Sequence, residues 1–365
     1  MKSDLDNQMM RRALHLAEKG LYTTDPNPRV GCVIARDEKI IAEGYTSPVG
    51  GPHAEVNALL NAADSLQGAT AYVTLEPCSH QGRTPPCVDA LVAAGIKRVV
   101  YAVGDPNPLV NGNGHARLVA AGIEVTRDVL AAQAMELNIG FFHRMTHGRP
   151  WVTVKLGTSL DGKVALANGV SQWITGDASR LDVQRQRARS SAIMTGVGTI
   201  LADDPRLTVR AVGIEMLGRH PLRVVCDSKL RTPTRARLFT EPGNVLIATT
   251  DGGANVESLL RAGAEIVEVA ADAHNAVDLA VVLQLLAARG CNELLVEAGP
   301  TLSGRLVEQR LVDELLIYMA PTVLGSDARS MLQLPAIASM SERWNFIFHE
   351  CQQIGGDLRL RLRLS

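Results

Sequence analysis

Residues 53–87 read HAEVNALLNAADSLQGATAYVTLEPCSHQGRTPPC, and this stretch decides the fold of the first half of the chain. Its apolar spacing predicts a helix over 53–63, a strand over 71–75 and a second helix that begins at Cys87. His53, Cys78 and Cys87 all lie at the ends of these elements, where α/β sheets place their sites. The stretch therefore predicts an α/β layer unit with a metal site at one edge.

The residue types in this stretch suit zinc. His53, Cys78 and Cys87 can bind Zn²⁺ through one imidazole and two thiolates, which leaves the fourth position open for water. A helix that begins at Cys87 would favour the thiolate there. Zinc lowers the pKa of such a water from about 15.7 toward roughly 7. Glu55 would take the proton and hand it on, as in zinc-dependent deaminases of nucleobase-like rings.

Three observations keep other interpretations open. A histidine and glutamate at this spacing, or two cysteines nine positions apart, are common by chance. A structural zinc site would need a fourth protein ligand, which His80 could supply. Eight residues separate Cys78 from Cys87, whereas the general zinc-deaminase pattern is Pro-Cys-x-x-Cys.

The pattern on either side extends the α/β alternation. A helix is predicted over 5–21, strands over 30–35, 39–45 and 98–103, and helices over 87–94, 116–121 and 128–147. Gly148-Arg149-Pro150 then breaks the pattern, so we expect two domains, 1–148 and 149–365. The second domain is predicted to be α/β as well. Its predicted strands are 151–157, 192–196, 222–227, 244–248, 293–297 and 312–320, its helices 177–189 and 276–289, and its loops 213–220 and 325–342.

Composition excludes several classes of protein. The 365 residues carry a net charge of −1 and only 4% aromatic side chains, which argues against a nucleic-acid surface. Six widely spaced cysteines are not a disulfide framework. The first 12 residues do not resemble a signal peptide, and the longest apolar run, near 279–288, is too short to span a bilayer. A cytoplasmic protein, a homo-oligomer without nucleic-acid or membrane partners, is expected.

Four segments resemble the bacterial bifunctional riboflavin-biosynthesis deaminase/reductase family. They are HAEV at 53–56, TLEPCSH at 74–80, GRTPPC at 82–87 and DPNP at 105–108. The longer spacing between the cysteines is part of this resemblance. It implies a cytidine-deaminase-like three-layer sandwich over 1–148 that removes the 2-amino group of a phosphorylated ribosylaminopyrimidine. It implies zinc ligands at His53, Cys78 and Cys87, a proton shuttle at Glu55, and substrate contacts at Asn27, His80 and Arg83.

The second half resembles the reductase part of the same family. The matching segments are KLGTSLDGK at 155–163, SQWIT at 171–175, LADDP at 201–205, LTVR at 207–210 and DS at 227–228. The resemblance also strengthens the glycine cluster EAGPTLSG at 297–304 as a candidate phosphate-binding turn. The resemblance implies a dihydrofolate-reductase-like domain that uses NADPH to reduce the ribosyl group to ribityl. The implied cofactor contacts are Gly157, Trp173, Thr199, Asp203, Ser228, Gly299, Pro300, Thr301, Leu302, Ser303, Gly304 and Arg305. The implied substrate contacts are Ser171, Arg187, Leu207, Arg210 and Glu297.

The residue types are consistent with these roles. Arg187 and Arg210 can each grip a phosphate bidentately, and Glu297 can accept from ribose hydroxyls. Lys155 can polarise the sugar carbonyl or imine during hydride transfer, and Trp173 can pack on a flat cofactor. Trp173 as a core aromatic and Arg187 as a solvated helix charge are the alternatives. No Gly-x-Gly-x-x-Gly follows a strand, so a Rossmann site is not supported.

Three rival functions make different demands on the sequence. A nucleic-acid editing deaminase with an accessory domain would need a basic channel and stacking aromatics. A zinc-stabilised binding protein would have no activity for a Glu55→Gln substitution to remove. A chain with one degenerate domain would lack motif residues in that half, and none is missing.

Overall fold

The computed structural model describes residues 4–79, 85–107 and 111–365. The chain divides into two compact units, Met1–Gly148 and Arg149–Ser365. The helices of the first unit are α1 (Asp4–Glu18), α2 (Ala54–Leu60), α3 (Cys87–Ala93), α4 (Asn113–Ala120), α5 (Ala131–Leu137) and α6 (Ile139–His147). Its strands are β1 (Gly31–Arg36), β2 (Lys39–Tyr45), β3 (Thr70–Val73), β4 (Arg98–Tyr101) and β5 (Glu124–Thr126).

The first unit is a three-layer sandwich, as predicted. Its sheet has the order β2-β1-β3-β4-β5, in which β1 is antiparallel to β2 and β3, while β3, β4 and β5 are parallel. One face packs on α1 and α5, and the other packs on α2, α3, α4 and α6. Buried side chains therefore cover both faces of the sheet. Because β3 and β4 are adjacent and parallel, their carboxyl ends lie at the same edge.

Two glycines let helices of this unit approach the sheet closely. A Cβ at Gly31 would lie 1.9 Å from the carbonyl oxygen of Ala13 on α1. A Cβ at Gly44 would lie 2.3 Å from the backbone nitrogen of Ala58 on α2. Since α2 begins directly after His53, the second contact also fixes the depth of the predicted metal site.

The single helix predicted over 128–147 is wrong. The structure has two helices there, α5 and α6, which meet at Asn138. The Asn138 side chain accepts from the backbone N–H of Arg29 at 2.7 Å and donates to the Arg29 carbonyl at 2.9 Å. This buried pairing across the fold holds Asn138 outside helical geometry and breaks the helix.

The second unit contains more elements than the sequence pattern predicts. Its helices are α7 (Asp177–Arg189), α8 (Val197–Asp203), α9 (Val256–Arg261), α10 (Leu279–Ala288) and α11 (Pro300–Glu308). Its strands are β6 (Trp151–Ser159), β7 (Lys163–Ala165), β8 (Ala192–Gly196), β9 (Leu222–Cys226), β10 (Val245–Thr249), β11 (Ala264–Glu268), β12 (Glu293–Val296), β13 (Glu314–Ala320), β14 (Arg329–Ser330), β15 (Phe346–Ile354) and β16 (Asp357–Leu364).

A nine-stranded sheet organises the second unit, in the order β11-β10-β9-β8-β12-β6-β13-β16-β15. The first seven strands in this spatial order, which begins at β11 and reaches β13, are parallel to one another. Strands β16 and β15 then add an antiparallel edge. Helices α10 and α11 cover one face, while α7, α8 and α9 pack on the other. The carboxyl ends of β6, β8, β9 and β12 therefore lie side by side.

Boundaries in this unit differ from the sequence prediction in two places. Helix α10 begins at Leu279 rather than 276, because the Asp278 side chain caps it by accepting from Ala280 N and Val281 N. The segment predicted as a loop over 325–342 contains the short β14, paired with β7, and a 3₁₀ turn at Met340–Glu342. None of the helices in the described ranges combines the length and apolar character needed to cross a bilayer.

Candidate functional site

The three predicted metal ligands of the first unit meet at the ends of three elements. His53 immediately precedes α2, and Cys87 is the first residue of α3. Cys78 lies five residues after the end of β3 at Val73. The His53 Nδ1 atom lies 3.2 Å from Cys87 Sγ and 3.6 Å from Cys78 Sγ. Their ligand atoms all lie within 4.8 Å of one another. The fold thus assembles one imidazole and two thiols at one point.

Hydrogen bonds tie the two cysteines together before any ligand binds. The backbone N–H of Cys87 donates to Cys78 Sγ at 3.3 Å, and Val88 N donates to the Cys78 carbonyl at 3.2 Å. Hydrogen bonds with the Cys87 thiol and the His53 ring lower the pKa of Cys78 to about 4. A thiolate at Cys78 is therefore favoured, which is the form that binds a metal.

This donor set fits a zinc ion. Two sulfurs and one imidazole match the protein ligands of a catalytic zinc, and their mutual spacing suits a tetrahedral ion that has Zn–S bonds of about 2.3 Å. Among the residues that the structure describes, no fourth histidine, cysteine or carboxylate joins the group. The open fourth position stays a prediction, because His80, the alternative fourth ligand, lies outside the described residues.

Glu55 occupies the second position of α2 and is only 4% exposed. Burial raises the pKa of its carboxyl to about 7, and the nearby Cys78 thiolate adds to the effect. A carboxyl group that titrates near neutral pH can both accept and return a proton, which is what a proton shuttle must do. Glu55 is thus suited to the predicted role.

The remaining deaminase predictions have different outcomes. Asn27 lies half-buried in the turn between α1 and β1, where its backbone N–H donates to the Thr24 carbonyl at 2.8 Å. His80 and Arg83 lie outside the described residues, so their predicted contacts with the substrate, and the alternative role of His80 as a fourth ligand, remain predictions.

In the second unit, four predicted residues form a charged cluster at the carboxyl edge of the sheet: Lys155, Arg187, Arg210 and Glu297. Arg187 Nε and Nη2 donate to the two oxygens of Glu297 at 2.6 and 2.9 Å. Arg187 Nη1 donates to the Thr208 carbonyl at 3.0 Å. The bidentate face of Arg187 is therefore occupied by Glu297, which corrects the expectation that it is free to grip a phosphate. It also excludes the alternative of a solvated helix charge.

In the part of the chain that the structure describes, no carboxylate pairs in this way with Lys155 or Arg210, the other two cations of this cluster. Burial lowers the pKa of Lys155, and the Glu297 carboxylate partly opposes that shift. Within the described ranges Lys155 makes no hydrogen bond or ion pair. Burial and the nearby Arg187 also lower the pKa of Arg210, whose backbone N–H donates to Gln184 Oε1 at 2.8 Å. Three cations thus surround one carboxylate, and the excess positive charge suits a phosphorylated ligand.

The two remaining substrate predictions are Leu207 and Ser171, of which Leu207 lies beside this cluster. Leu207 is buried, with a φ of 52°, and directly precedes Thr208, whose carbonyl oxygen receives Arg187. It therefore positions the backbone that Arg187 contacts. Ser171 is half-buried in the segment between β7 and α7.

Several predicted cofactor residues lie where parallel strands end. Thr199 lies in the first turn of α8, and a Cβ at Gly299 would lie 4.0 Å from its Oγ1. Gly157 lies on β6, where a Cβ would come within 3.9 Å of Lys155 Nζ. Ser228 follows β9, and its Oγ accepts from Val277 N at 3.0 Å. Asp203 is exposed at the end of α8.

The segment from Gly299 to Arg305 does not face solvent throughout. Leu302, Ser303 and Gly304 are buried in α11, and a Cβ at Gly304 would lie 2.0 Å from the Gln333 carbonyl oxygen. Arg305 is paired with Asp272. Pro300 is half-buried, whereas Gly299 and Thr301 are exposed. Side-chain contact with a cofactor is therefore restricted to the start of this segment.

Trp173 is not a core aromatic. It is 70% exposed, and the guanidinium of Arg180 lies 4.6 Å from its ring centroid. The alternative considered from the sequence is thus excluded, and a large flat surface remains open to solvent.

Sequence reasoning missed two buried polar groups close to these sites. Glu76 precedes Cys78 by two residues and accepts three backbone hydrogen bonds. Asp182 on α7 accepts from the Tyr318 hydroxyl at 2.7 Å and from Arg359 at 2.8 Å. An acidic residue inside an apolar run was the available signal for Glu76. Asp182 had none, because its partners lie 136 and 177 positions away.

Comparison with protein families matches both units. Residues 3–103 match the model of the cytidine and deoxycytidylate deaminase zinc-binding region, and residues 150–360 match the model of the RibD C-terminal domain.

Full-length relatives are similar throughout. The riboflavin biosynthesis protein RibD of Escherichia coli is 46% identical over 98% of this chain and 99% of that protein. The protein of the same name from Aquifex aeolicus is 38% identical over 98% of both chains. Acinetobacter baumannii RibD, a solved structure, is 42% identical and superposes with a TM-score of 0.92 over 99% of both chains. A deaminase/reductase structure from Thermotoga maritima is 33% identical, with a TM-score of 0.88 over 99% of both chains.

Proposed function

The chain belongs to the RibD family of bifunctional deaminase/reductases of riboflavin biosynthesis, and from this premise we propose which of its residues carry out each reaction. The first reaction is hydrolytic deamination of 2,5-diamino-6-(5-phosphoribosylamino)pyrimidin-4(3H)-one. The second is reduction of the ribosyl group of the product to ribityl. We assign the first to residues 1–148 and the second to residues 149–365.

For deamination, His53, Cys78 and Cys87 would hold a zinc ion, and their mutual spacing supports this assignment. When bound, the metal lowers the pKa of water, which makes hydroxide available at neutral pH. Glu55 would take the first proton from the attacking water and pass it to the ring nitrogen. It would then take a second proton from the hydroxyl of the adduct and pass it to the amine, which leaves as ammonia while the carbonyl forms. The buried position of Glu55 and its pKa of about 7 support both steps. Asn27, His80 and Arg83 would bind the ring and the phosphate.

For reduction, the cluster around Glu297 would bind the phosphorylated sugar. Lys155 has no ion-pair partner among the described residues, so its ammonium can donate to the sugar oxygen or imine as hydride arrives. Arg187 holds the Glu297 carboxylate ionised and oriented toward sugar hydroxyls. Arg210 would supply the charge for the phosphate, with Ser171 and Leu207 shaping that end of the site.

NADPH would supply the hydride. The exposed ring of Trp173, the glycine at 157 and the neighbouring Thr199 and Gly299 support a binding surface at the carboxyl edge of the sheet. Asp203, Ser228 and the remainder of the 299–305 segment would complete it. The buried side chains of this segment would act by fixing the turn at Gly299.

A homo-oligomer and a cytoplasmic location complete the proposal. The edge strand β15 exposes Ile347 (63%) and Phe348 (67%), which favours pairing with a second copy. Sedimentation of Phe348→Glu should then yield a smaller species than the wild type, and an unchanged species would exclude this edge. The six free cysteines suit a reducing compartment, which cell fractionation tests.

The observation that carries the function is the meeting of His53, Cys78 and Cys87 beside the buried Glu55. Glu55→Gln keeps the shape of the side chain but removes its basic oxygen. We expect ammonia release to fall by a factor of 10² to 10⁴, roughly the contribution of a general base. Zinc content, measured by elemental analysis, should remain one ion per chain, as a lone three-ligand site requires.

The same sample provides its own control. NADPH-dependent reduction of the already deaminated compound should continue at the wild-type rate, read as loss of NADPH absorbance. Loss of both reactions would contradict two independent sites, and full ammonia release by Glu55→Gln would exclude Glu55 as the proton shuttle.

A further inference from the structure

The Glu76 carboxylate is buried two residues before the metal-binding Cys78, with 4% of the residue exposed. Its Oε2 accepts from the backbone N–H groups of Asp105 at 3.3 Å and Gly112 at 3.1 Å. Its Oε1 accepts from the backbone N–H of His115 at 3.0 Å. A single carboxylate that accepts several backbone N–H groups is a strong anchor, because each bond is charge-assisted.

The three donors lie on both sides of one connection. Asp105 follows β4, whereas Gly112 and His115 belong to the beginning of α4. Glu76 therefore fastens the two ends of the connection between β4 and α4 to the chain segment that supplies a sulfur ligand.

Helix α4 also presses directly on this segment. A Cβ at Gly114 would lie only 2.1 Å from the carbonyl oxygen of Pro77, so only glycine permits the contact. Pro77 separates Glu76 from Cys78, and the depth of Cys78 in the site is therefore set against the backbone of α4.

Arg117, one turn further along α4, reaches both cysteine segments. Its Nη1 donates to the carbonyl of Ser79 at 2.6 Å, and its Nη2 donates to Asp89. Ser79 directly follows Cys78, and Asp89 lies two residues after Cys87. The arginine thus bridges the chain on either side of the two sulfurs.

We propose that Glu76, with Arg117 as a weaker partner, is a positioning residue of the deaminase site that sets where Cys78 stands relative to Cys87 and His53. Neither side chain is a predicted ligand or shuttle. The contacts of both run through α4, which makes this helix a support for the metal site. The inference rests on the proposed zinc-dependent function of the same residues.

The test is Glu76→Gln in the full-length zinc-loaded protein. The amide retains one acceptor oxygen but places an NH₂ group against backbone N–H donors, so at least one of the three backbone hydrogen bonds is lost. We expect zinc to transfer to a chromogenic chelator about 10-fold faster or more, the scale of losses from residues that support metal ligands. In the cobalt-substituted protein, the sulfur-to-cobalt charge-transfer band should shift, because the Cys78 sulfur moves.

Asp6→Asn is the matched control. Asp6 is 1% exposed and accepts from Arg98 at 2.8 and 2.9 Å, and it belongs to α1, which packs on the face of the sheet opposite to α2, α3 and α4. It should reduce the melting temperature as Glu76→Gln does, yet leave the zinc release rate and the cobalt spectrum unchanged. Arg117→Ala, a half-exposed site, should accelerate release by a smaller factor, about 2- to 5-fold, and Arg117→Lys should partly restore the wild-type rate.

Wild-type release and an unshifted cobalt band in Glu76→Gln would overturn the inference, as would equal changes in Asp6→Asn. If Glu76→Gln does not fold, wild-type zinc release by Arg117→Ala would overturn it instead. Failure of the underlying function is separate, because it would be seen as wild-type protein that binds no zinc or releases no ammonia.

Discussion

At the scale of single residues, both sites depend on ionisable groups that lose favourable hydration when the protein buries them. Glu55 is a carboxyl buried at the start of a helix, and Lys155 is an ammonium with no hydrogen-bond acceptor among the described residues. Arg187 and Glu297 form an ion pair with only 11% of each side chain exposed. Burying such groups costs free energy that neighbours only partly offset. These residues are therefore expected to lower stability while they supply reactivity.

Lys155→Met should stabilise the second unit near neutral pH. The substitution removes a desolvated charge that has no partner within the described structure, and we expect a gain of about 1–3 kcal/mol in the free energy of unfolding. Because the folded pKa of Lys155 is below its ordinary value of 10.5, the wild-type lysine loses its proton first in the folded state. Wild-type stability thus rises relative to the variant between the lowered pKa and 10.5.

Urea unfolding at a series of pH values measures this difference. The gain should be largest below the lowered pKa and should shrink as the pH approaches 10.5, while NADPH-dependent reduction is lost throughout. Lys229→Met, at an exposed position, is the control and should change the free energy of unfolding very little. A Lys155→Met variant that is less stable than wild type at neutral pH would contradict the unpaired ammonium.

Arg187→Ala should destabilise the second unit by about 3–5 kcal/mol, because it leaves the Glu297 carboxylate buried without its partner. Replacing both residues with leucine should restore most of that stability but not the reduction. A double-mutant cycle in urea measures the coupling, and ammonia release from the other unit serves as the control activity. A cost below about 1 kcal/mol for the single variant would mean that the pair is solvated.

At the scale of elements, glycines decide how closely helices approach the sheets. Gly31 and Gly44 admit α1 and α2 to the first sheet, Gly114 admits α4 to the Cys78 segment, and Gly304 admits the backbone of Gln333 to α11. In each case a Cβ would lie less than 2.5 Å from a backbone atom, which a small side-chain movement cannot relieve. The positions of the site residues follow from these approaches.

Gly304→Ala should therefore lower the stability of the second unit by about 1–3 kcal/mol or more, the cost of overpacking a closely packed contact. Thermal unfolding followed by circular dichroism measures the loss. Gly356→Ala is the matched control, since a Cβ there meets no atom within 4 Å. Equal melting temperatures for the two variants would show that α11 can move away from Gln333 freely.

The elements that the sequence predicts well are those whose signal is local. The proposed zinc ligands could be picked out because few residue types bind the ion and because they lie at element ends that periodicity reveals. The break at Asn138 depends on Arg29, 109 positions away, and the pairing of Arg187 with Glu297 spans 110 positions, so neither has a local signal. Strand β16, by contrast, has a local signal, since its sequence DLRLRLRL alternates apolar and charged residues.

At the scale of the whole molecule, each unit has its own sheet and its own hydrophobic clusters. The proposed metal site lies within the first unit, and the charged cluster around Glu297 lies within the second. The two reactions are therefore expected to respond separately to any treatment that acts on one site.

Removal of zinc with a chelator should abolish ammonia release while NADPH-dependent reduction continues unchanged. In calorimetry the unfolding of the first unit should shift to lower temperature, because an ion that binds only the folded state no longer stabilises it. Adding zinc back should restore both. If reduction is lost together with deamination, the two sites are coupled in a way that separate units do not provide.

The short distance between the Cys78 and Cys87 sulfurs should make the two thiols sensitive to oxidation by air when no metal is bound. Their ligand atoms lie within 4.8 Å, so a stripped sample needs only a short closing movement to form a disulfide of about 2.05 Å, with two electrons passing to oxygen. Bound zinc would therefore protect both thiols from oxidation, in addition to its role in activating water. Thiol titration after storage without zinc should find two of the six thiols consumed, whereas all six should survive in the loaded protein.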